Sequence, residues 1–411
     1  MAAAAIKTTC CIAGGGPAGM MLGFLLARAG VAVTVLEKHA DFLRDFRGDT
    51  IHPSTLELMH ELGLLKAFLK LPHDEIDHLT GLVGDRRITL ADFSHLPTMC
   101  KFIALMPQWN FLDFLADHGK HFANFDLRMR HEAVDLIEEG GRVVGLRAKT
   151  PDGTIDIRAD LTVGCDGRHS TLRDKAQLAA ENLGAPIDVL WFRVSRKDSD
   201  TPETFGHIEA GRMMVMLNRG DYWQCAYVIP KGGIDAVKRT GLDKFRDNVL
   251  TMSPFLKGRI GELKSWDDIK LLTVTVDRLR QWHKPGLLCI GDAAHAMSPV
   301  GGVGVNLAIQ DAVAAANILW QPLKERRVTG ELLAAVQARR TLAMRVIQWL
   351  QVQIHERVLA QVLQSDKRIK PPWVLNLLDW FPVLRRLPAR LIGLGVRPEH
   401  VHTPEASPAK S

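Results

Sequence analysis

Apolar residues recur along this chain at two spacings, and the change from one to the other divides it into elements. Thr9 to Ala13 reads Thr-Cys-Cys-Ile-Ala with no polar alternation, which predicts a strand buried on both faces. A helix-spaced apolar run follows from Met20 to Ala29 and stops at Gly30, and Val31 to Leu36 predicts a second buried strand. Leu79 to Phe93 and Leu183 to Ile229 are strand-like, the latter including Met213 to Leu217 and Tyr222 to Tyr227, and predict an antiparallel sheet. Beyond Asp311 the pattern is mostly helical, with a long 3.6-residue repeat from Leu332 to Leu363 and an apolar, arginine-bearing stretch from Trp373 to Val396.

The turn between the first strand and helix is Gly14-Gly15-Gly16-Pro17-Ala18-Gly19, a G-x-G-x-x-G at Gly14, Gly16 and Gly19. Gly14 permits the tight turn, Gly16 admits a pyrophosphate close to the backbone, and Gly19 lets the helix sit close on the strand. The free N–H groups that open the helix, from Ala18 on behind Pro17, favour phosphate. Glu37, with Lys38 behind it, closes the second strand 18 residues after Gly19, where a carboxylate accepts hydrogen bonds from a ribose 2′-OH. An acid there selects FAD or NAD over NADP.

Two later segments choose between them. Asp160 to Arg173 is a buried strand ending at Cys165-Asp166-Gly167, with Ser170 and Arg173 placed to begin a helix. Gly286 to Asp311 carries a strand ending in Gly291-Asp292-Ala293-Ala294-His295, then Pro299, Gly301, Gly302, Gly304 and Asn306 before another helix. With the G-x-G-x-x-G, these make the chain resemble the class A flavoprotein monooxygenases, the p-hydroxybenzoate-hydroxylase-like family, over residues 7 to 325.

The resemblance implies an α/β fold: a Rossmann-like, GR2-type FAD-binding domain with an inserted antiparallel β-sheet substrate domain and a C-terminal helical region. It assigns 1–75, 100–178 and 268–325 to FAD, 76–99 and 179–267 to substrate and 326–402 to the helices, and leaves 403–411 disordered. Asp292 would bind the ribitol hydroxyls, near Gly291 and Pro299. The N–H groups of Gly304, Val305 and Asn306 would meet the flavin pyrimidine edge, where a helix N-terminus favours the reduced flavin anion. Asp166 resembles a residue linked to FAD and the nicotinamide donor, and reads equally as a helix N-cap. Arg47 would contact the pyrophosphate and Gln108 the ribityl chain. Many relatives carry Gln where this chain has Val303.

The implied activity is that of an FAD-dependent monooxygenase in which NADH or NADPH visits transiently and O₂ forms a flavin C4a-hydroperoxide that hydroxylates an aromatic or conjugated small molecule. The cofactor supplies the hard step, so no catalytic side chain is assigned. His52, Tyr222, Trp223 and Tyr227 are candidate pocket residues, with His207 a further one; core packing is the competing role for each. An FAD-dependent reductase of a lipophilic isoprenoid, of the geranylgeranyl-reductase type, is the alternative. Halogenase relatives carry W-x-W-x-I-P where this chain reads Cys225-Ala226-Tyr227-Val228-Ile229-Pro230, and a non-catalytic flavoprotein is disfavoured by intact motifs at both flavin ends.

Composition changes little in this picture. Hydrophobic residues are 46% and charged residues 24% of 411, ordinary for a chain with a sizeable core, and 52 basic against 46 acidic side chains leave +6. That field is too weak to indicate nucleic acid. Six cysteines without CxxC or an even framework predict reduced thiols in a cytoplasmic setting, and no spacing suggests a metal site. Glycines and Pro17 interrupt the apolar N-terminus, against a signal peptide, and no apolar window reaches the ~18 residues of a membrane span. Trp373 to Phe381 with Arg385, Arg386 and Arg390 admits contact with a membrane surface, but Pro382 and Pro388 favour a helical cap over the FAD domain. No motif encodes the oligomeric state, a homodimer included.

Overall fold

The computed structural model describes residues 6–43, 50–201, 204–365 and 373–406; Arg47 lies outside them. Among these residues the chain forms an eight-stranded and a seven-stranded sheet, with smaller sheets of three and two strands. The larger sheet grows from β1 (Ile6–Ala13), which α1 (Pro17–Arg28) carries over to β2 (Val33–Glu37). Cys10 to Ala13 and the whole of β2 are buried, as unbroken apolar runs in a two-sided parallel sheet must be. Gly30 takes φ +84° to end the α1 turn. The next helix, α2 (Pro53–Glu61), stops short of Gly63, which takes φ +73°. After a single helical turn at Leu65–Phe68 and a run of short strands comes α3 (Gln108–Gly119).

On the other side of β1 lies β3 (Gly153–Gly164), again parallel, so that Ile12 faces both Val35 and Val163. The short strand Leu287–Cys289 continues the parallel order beyond β3, with Gly164 opposite Cys289. The parallel strands therefore end together at Ala13, Glu37, Gly164 and Cys289, the carboxyl edge at which sheets of this kind bind ligands.

The seven-stranded sheet collects strands from two separate stretches, His78 to Asp92 and Ile187 to Leu272. At its centre are β4 (Ile187–Ser195), β5 (Arg212–Asn218) and β6 (Tyr222–Pro230), all antiparallel. One pair departs from the antiparallel expectation: His78–Val83 runs parallel to Phe205–Glu209, where the two stretches meet. Alternation gives the sheet two apolar faces. Leu190, Phe192, Met214, Met216, Trp223, Cys225 and Tyr227 pack against Phe245 and Val249 of α4 (Leu242–Met252). On the other face, Val189, Ala226 and Val228 pack with Val300, Ile354 and Leu359.

The central helix α5 (Val303–Lys324) extends a segment, Val300–Lys324, that meets the length and apolarity of a membrane span, mean hydropathy 1.3, but is 67% buried in the interior. It lies against α1 and α6 (Gly330–Ile354). The repeat continues through a π turn at His355–Leu359, a feature that marks functional or strained helix segments. At the C-terminus, α7 (Trp373–Trp380) and α8 (Arg386–Gly393) pack on the edge strand Arg86–Asp92 of the substrate-side sheet, and α8 also reaches the flavin side, where Leu391 meets the core of the larger sheet. The reason is a socket: Ala389 and Leu394 share a cluster with Ala91, Phe93, Leu96, Ile103 and Leu105. Nor are residues 403–406 a loose tail. Arg28 donates to the Thr403 carbonyl at 3.0 Å and pairs with Glu405 at 3.0 Å, and the Ala406 N–H donates to the Arg28 carbonyl at 2.8 Å.

Candidate active site

The carboxyl edge of the parallel sheet brings the glycine turn, the Asp-Gly segment and the Gly-Asp segment together. Gly14 has φ +105°, and a Cβ there would lie 2.3 Å from the Cys165 carbonyl oxygen, so only glycine fits between β1 and β3. A Cβ on Gly19 would stand 2.0 Å from the Gly14 oxygen, which fixes how closely α1 enters. Gly16 differs: a Cβ there would meet nothing within 4 Å. Space beside the first turn of α1, where N–H groups are unpaired, is an anion cradle by construction. Pro17 opens that helix and Ala18 is buried beneath it.

Glu37 is buried at the end of β2. Its Oε2 accepts the Gly15 N–H at 3.2 Å, and its Oε1 accepts the His39 N–H at 3.0 Å, while Lys38 turns outward. The carboxylate thus sits beside the glycine turn, where a nucleoside ribose would lie. Gln108 opens α3 and is half-buried.

Asp166 is half-buried. Its Oδ1 accepts the Ser170 hydroxyl at 2.5 Å and its Oδ2 the Leu172 N–H at 3.2 Å, so the side chain builds the start of the helix Thr171–Lys175. Ser170, not Asp166, is the N-cap, accepting the Arg173 N–H at 3.0 Å. Burial pushes the Asp166 carboxyl above its ordinary range despite these hydrogen bonds. Asp292, just past Leu287–Cys289, is half-buried, and Arg168 of the Asp-Gly segment approaches it at 3.5 Å. Its partial exposure leaves acceptor capacity for hydroxyl groups.

Pro299 and the left-handed Gly301 and Gly302, φ +81° and +63°, turn the chain into α5, whose first N–H groups belong to Val303, Gly304, Val305 and Asn306. The Asn306 side chain is spent on structure. Its Oδ1 accepts from the His52 N–H at 3.0 Å and the Thr55 hydroxyl at 2.7 Å, and its Nδ2 donates to the Thr50 carbonyl at 3.1 Å.

A polar scaffold that sequence reasoning missed holds this loop. Gln351 accepts the Ser298 N–H at 3.1 Å and donates to the Ser298 and Val300 carbonyls, each at 3.0 Å. His355 meets the Ser298 hydroxyl at 2.8 Å, and Gln348 donates to the Asp277 carbonyl at 2.7 Å. Deeper in, Asp311 accepts the Gly291 N–H at 3.1 Å and Arg340 Nε at 3.0 Å, and meets His295 at 2.5 Å. Burial opposes its charge, but His295 and Arg340 hold the carboxyl below the usual range. Arg340 also reaches Glu399 at 3.2 Å, tying the chain's last segment to the Gly-Asp loop. Spacing alone carried a faint signal for these groups, since 340, 347, 348, 351 and 355 continue the buried stripe of α6.

The candidate pocket residues separate. Trp223 and Tyr227 lie on the α4 face of the substrate-side sheet, away from Val300; Trp223 Nε1 donates to Asp200 at 3.0 Å. His207 is on that face too, bonded to the Met252 carbonyl at 2.7 Å. Alternation is the reason: in β6 only the even-numbered residues look the other way. Tyr222 does, opposite Ser195 and with Arg193 5.7 Å above its ring. The face toward Val300 is completed by Trp191, Met213, Val215 and Leu272, which the sequence pattern did not single out. His52 is buried between α2 and the C-terminal segment; its Nδ1 bonds to the Ile392 carbonyl at 2.7 Å, Nε2 has no partner, and burial pushes its pKa down to about 4.

The chain matches the FAD binding domain family over residues 7–350. It is 31% identical over 335 residues to 6-methylpretetramide 4-monooxygenase of Streptomyces rimosus, covering 81% of this chain and 80% of that one. Rifampicin monooxygenase of Streptomyces venezuelae is 28% identical, over 75% of this chain and 63% of its own length. Among solved structures, anhydrotetracycline hydroxylase from Streptomyces rimosus superposes with TM-score 0.74 at 22% identity, over 94% of this chain and 76% of that one. The p-nitrophenol 4-monooxygenase of Pseudomonas putida gives TM-score 0.74 at 18% identity, over 94% and 96%. The cradle, the buried acid and the carboxyl-edge motifs fit the cofactor of these enzymes, and the chain belongs to the FAD-dependent aromatic monooxygenases.

Proposed function

We propose that the enzyme uses NADH or NADPH and O₂ to hydroxylate an aromatic or conjugated small molecule held between the substrate-side sheet and the loop Pro299–Gly304. The observation that carries this reading is the apolar sheet face of Val189, Trp191, Ala226 and Val228, which packs toward Val300 at the start of α5. The flavin, when bound, supplies hydride acceptance and oxygen activation. The chain's own residues do the rest. Gly14, Gly16 and Gly19 with the first turn of α1 would seat the pyrophosphate, Glu37 would orient the ribose, and Asp292 would receive the ribitol hydroxyls. The N–H groups of Gly304, Val305 and Asn306 would direct partial positive charge at a bound flavin and favour its reduced form. Trp191 and its neighbours exclude water and stack the substrate.

The test is turnover under ¹⁸O₂ with bound FAD quantified first. Substrate-stimulated oxidation of NAD(P)H with one ¹⁸O atom in the product supports the reading. Product that gains hydrogen and no oxygen shifts the assignment to a reductase, and protein that holds no flavin overturns it.

A further inference from the structure

The segment joining α7 to α8 turns an uncommon set of side chains to solvent. Trp380 is 68% exposed, Phe381 55%, Val383 57% and Leu387 67%. Arg386 and Arg390, one helical turn apart, are exposed beside Leu387, whereas Ala389 and Gly393 face inward. A Cβ on Gly393 would come within 2.7 Å of Leu96, so this face of α8 is fixed toward the protein and the arginine face toward water. The segment is also anchored. Arg86 of the edge strand donates to Asn376 at 2.5 Å and to Asp379 at 2.6 Å, and Arg385 pairs with Asp379 at 3.1 Å.

Exposed aromatic and apolar residues grouped in one short segment mark an interaction site, whereas singly scattered ones do not. Charge indicates what the site meets. From Trp380 to Arg390 there are three arginines and no acidic residue, and Asp379 just before it is already engaged by two arginines. A second copy of the chain, docked through the same patch about a two-fold axis, would bring Arg386 and Arg390 against their own mates with no carboxylate within the segment to answer them. An anionic lipid surface answers both features, since Trp, Phe and Leu enter the headgroup boundary while arginines meet phosphates.

We propose that this patch seats the enzyme on the surface of an anionic phospholipid bilayer, with the substrate-side sheet nearest the lipid. The inference is independent of the substrate assignment. It predicts that the FAD-loaded full-length protein sediments with vesicles containing phosphatidylglycerol and that added salt weakens the association. The double variant Arg386→Gln/Arg390→Gln loses about thirtyfold in partition to those vesicles, the change that ~1 kcal/mol per arginine gives. Trp380→Ser/Leu387→Ser loses at least about tenfold on vesicles with or without the anionic lipid. All four side chains are exposed, and flavin absorbance reports that the variants remain folded. Wild-type protein that stays in solution with anionic vesicles overturns the proposal, as do variants that bind like wild type. A dimer in analytical ultracentrifugation that Trp380→Ser/Leu387→Ser dissociates overturns it in favour of a second copy as occupant.

Discussion

At the residue scale, the glycines of the nucleotide turn divide by what stands opposite them. Gly14→Ala drives a Cβ to 2.3 Å from a backbone oxygen at positive φ, and about 2 kcal/mol or more of stability is expected to be lost, flavin present or not. Gly16→Ala places its Cβ in open space, so stability of the flavin-free protein should change by no more than the ~1 kcal/mol of a weaker helix cap while retained FAD falls at least about tenfold. Urea titration beside absorbance at the flavin band separates the two. Trp191→Ala should raise KM about tenfold with flavin content intact, whereas Trp223→Phe, on the opposite face, should leave KM unchanged. His52 makes its own pH signature. Its pKa is about 4 in the fold, so the unfolded chain binds the extra proton as pH falls below ~6.5, and stability drops from there until pH passes about 4. Between pH 7 and 5 the loss is about 2 kcal/mol, and His52→Gln should remove that share of the slope in urea titrations at the two pH values.

At the element scale, α6 holds the loop that ends at α5 through amide side chains. Gln351→Leu strips partners from the Ser298 N–H and the Ser298 and Val300 carbonyls at once. About 3 kcal/mol of destabilisation is expected, with kcat/KM falling more than flavin affinity because the loop borders the candidate pocket rather than the glycine cradle. Much of the element plan was legible. The unbroken apolar runs of β1 and β2 and the glycine turn between them encode local geometry, and so does the long repeat of α6. Sheet faces were not legible at this depth: β6 is apolar at odd and even positions alike, so its pattern could not say which residues look toward Val300. Buried polar groups were hidden for the opposite reason. Arg340, Gln348 and Gln351 carry the composition of a solvated face, and only the tertiary partners at Asp311, Asp277 and Ser298 reveal that the face is internal. The docking of the helical pair on the substrate-side sheet depended on contacts distant in sequence.

At the scale of the whole molecule, one charge network spans four stretches of chain: the Gly-Asp loop, α5, α6 and the segment at Glu399. Arg340→Met would leave the Asp311 and Glu399 carboxylates buried with a partner missing, a change expected to cost about 3–5 kcal/mol. Thermal unfolding should show one cooperative loss, because the groups involved bridge the core rather than decorate it.

The way α1 and β1 are closed in also bears on how the protein is made. They emerge from the ribosome before their neighbours in space: β3, the strand Leu287–Cys289, α5, and Thr403 and Glu405, which grip Arg28. The wall carrying Asp292 is translated long after the cradle that faces it, and the clasp at the end of α1 later still. Nascent chains halted before α5 should therefore carry no FAD, and loading of the cofactor should wait until α5 and the partners of Arg28 have been made.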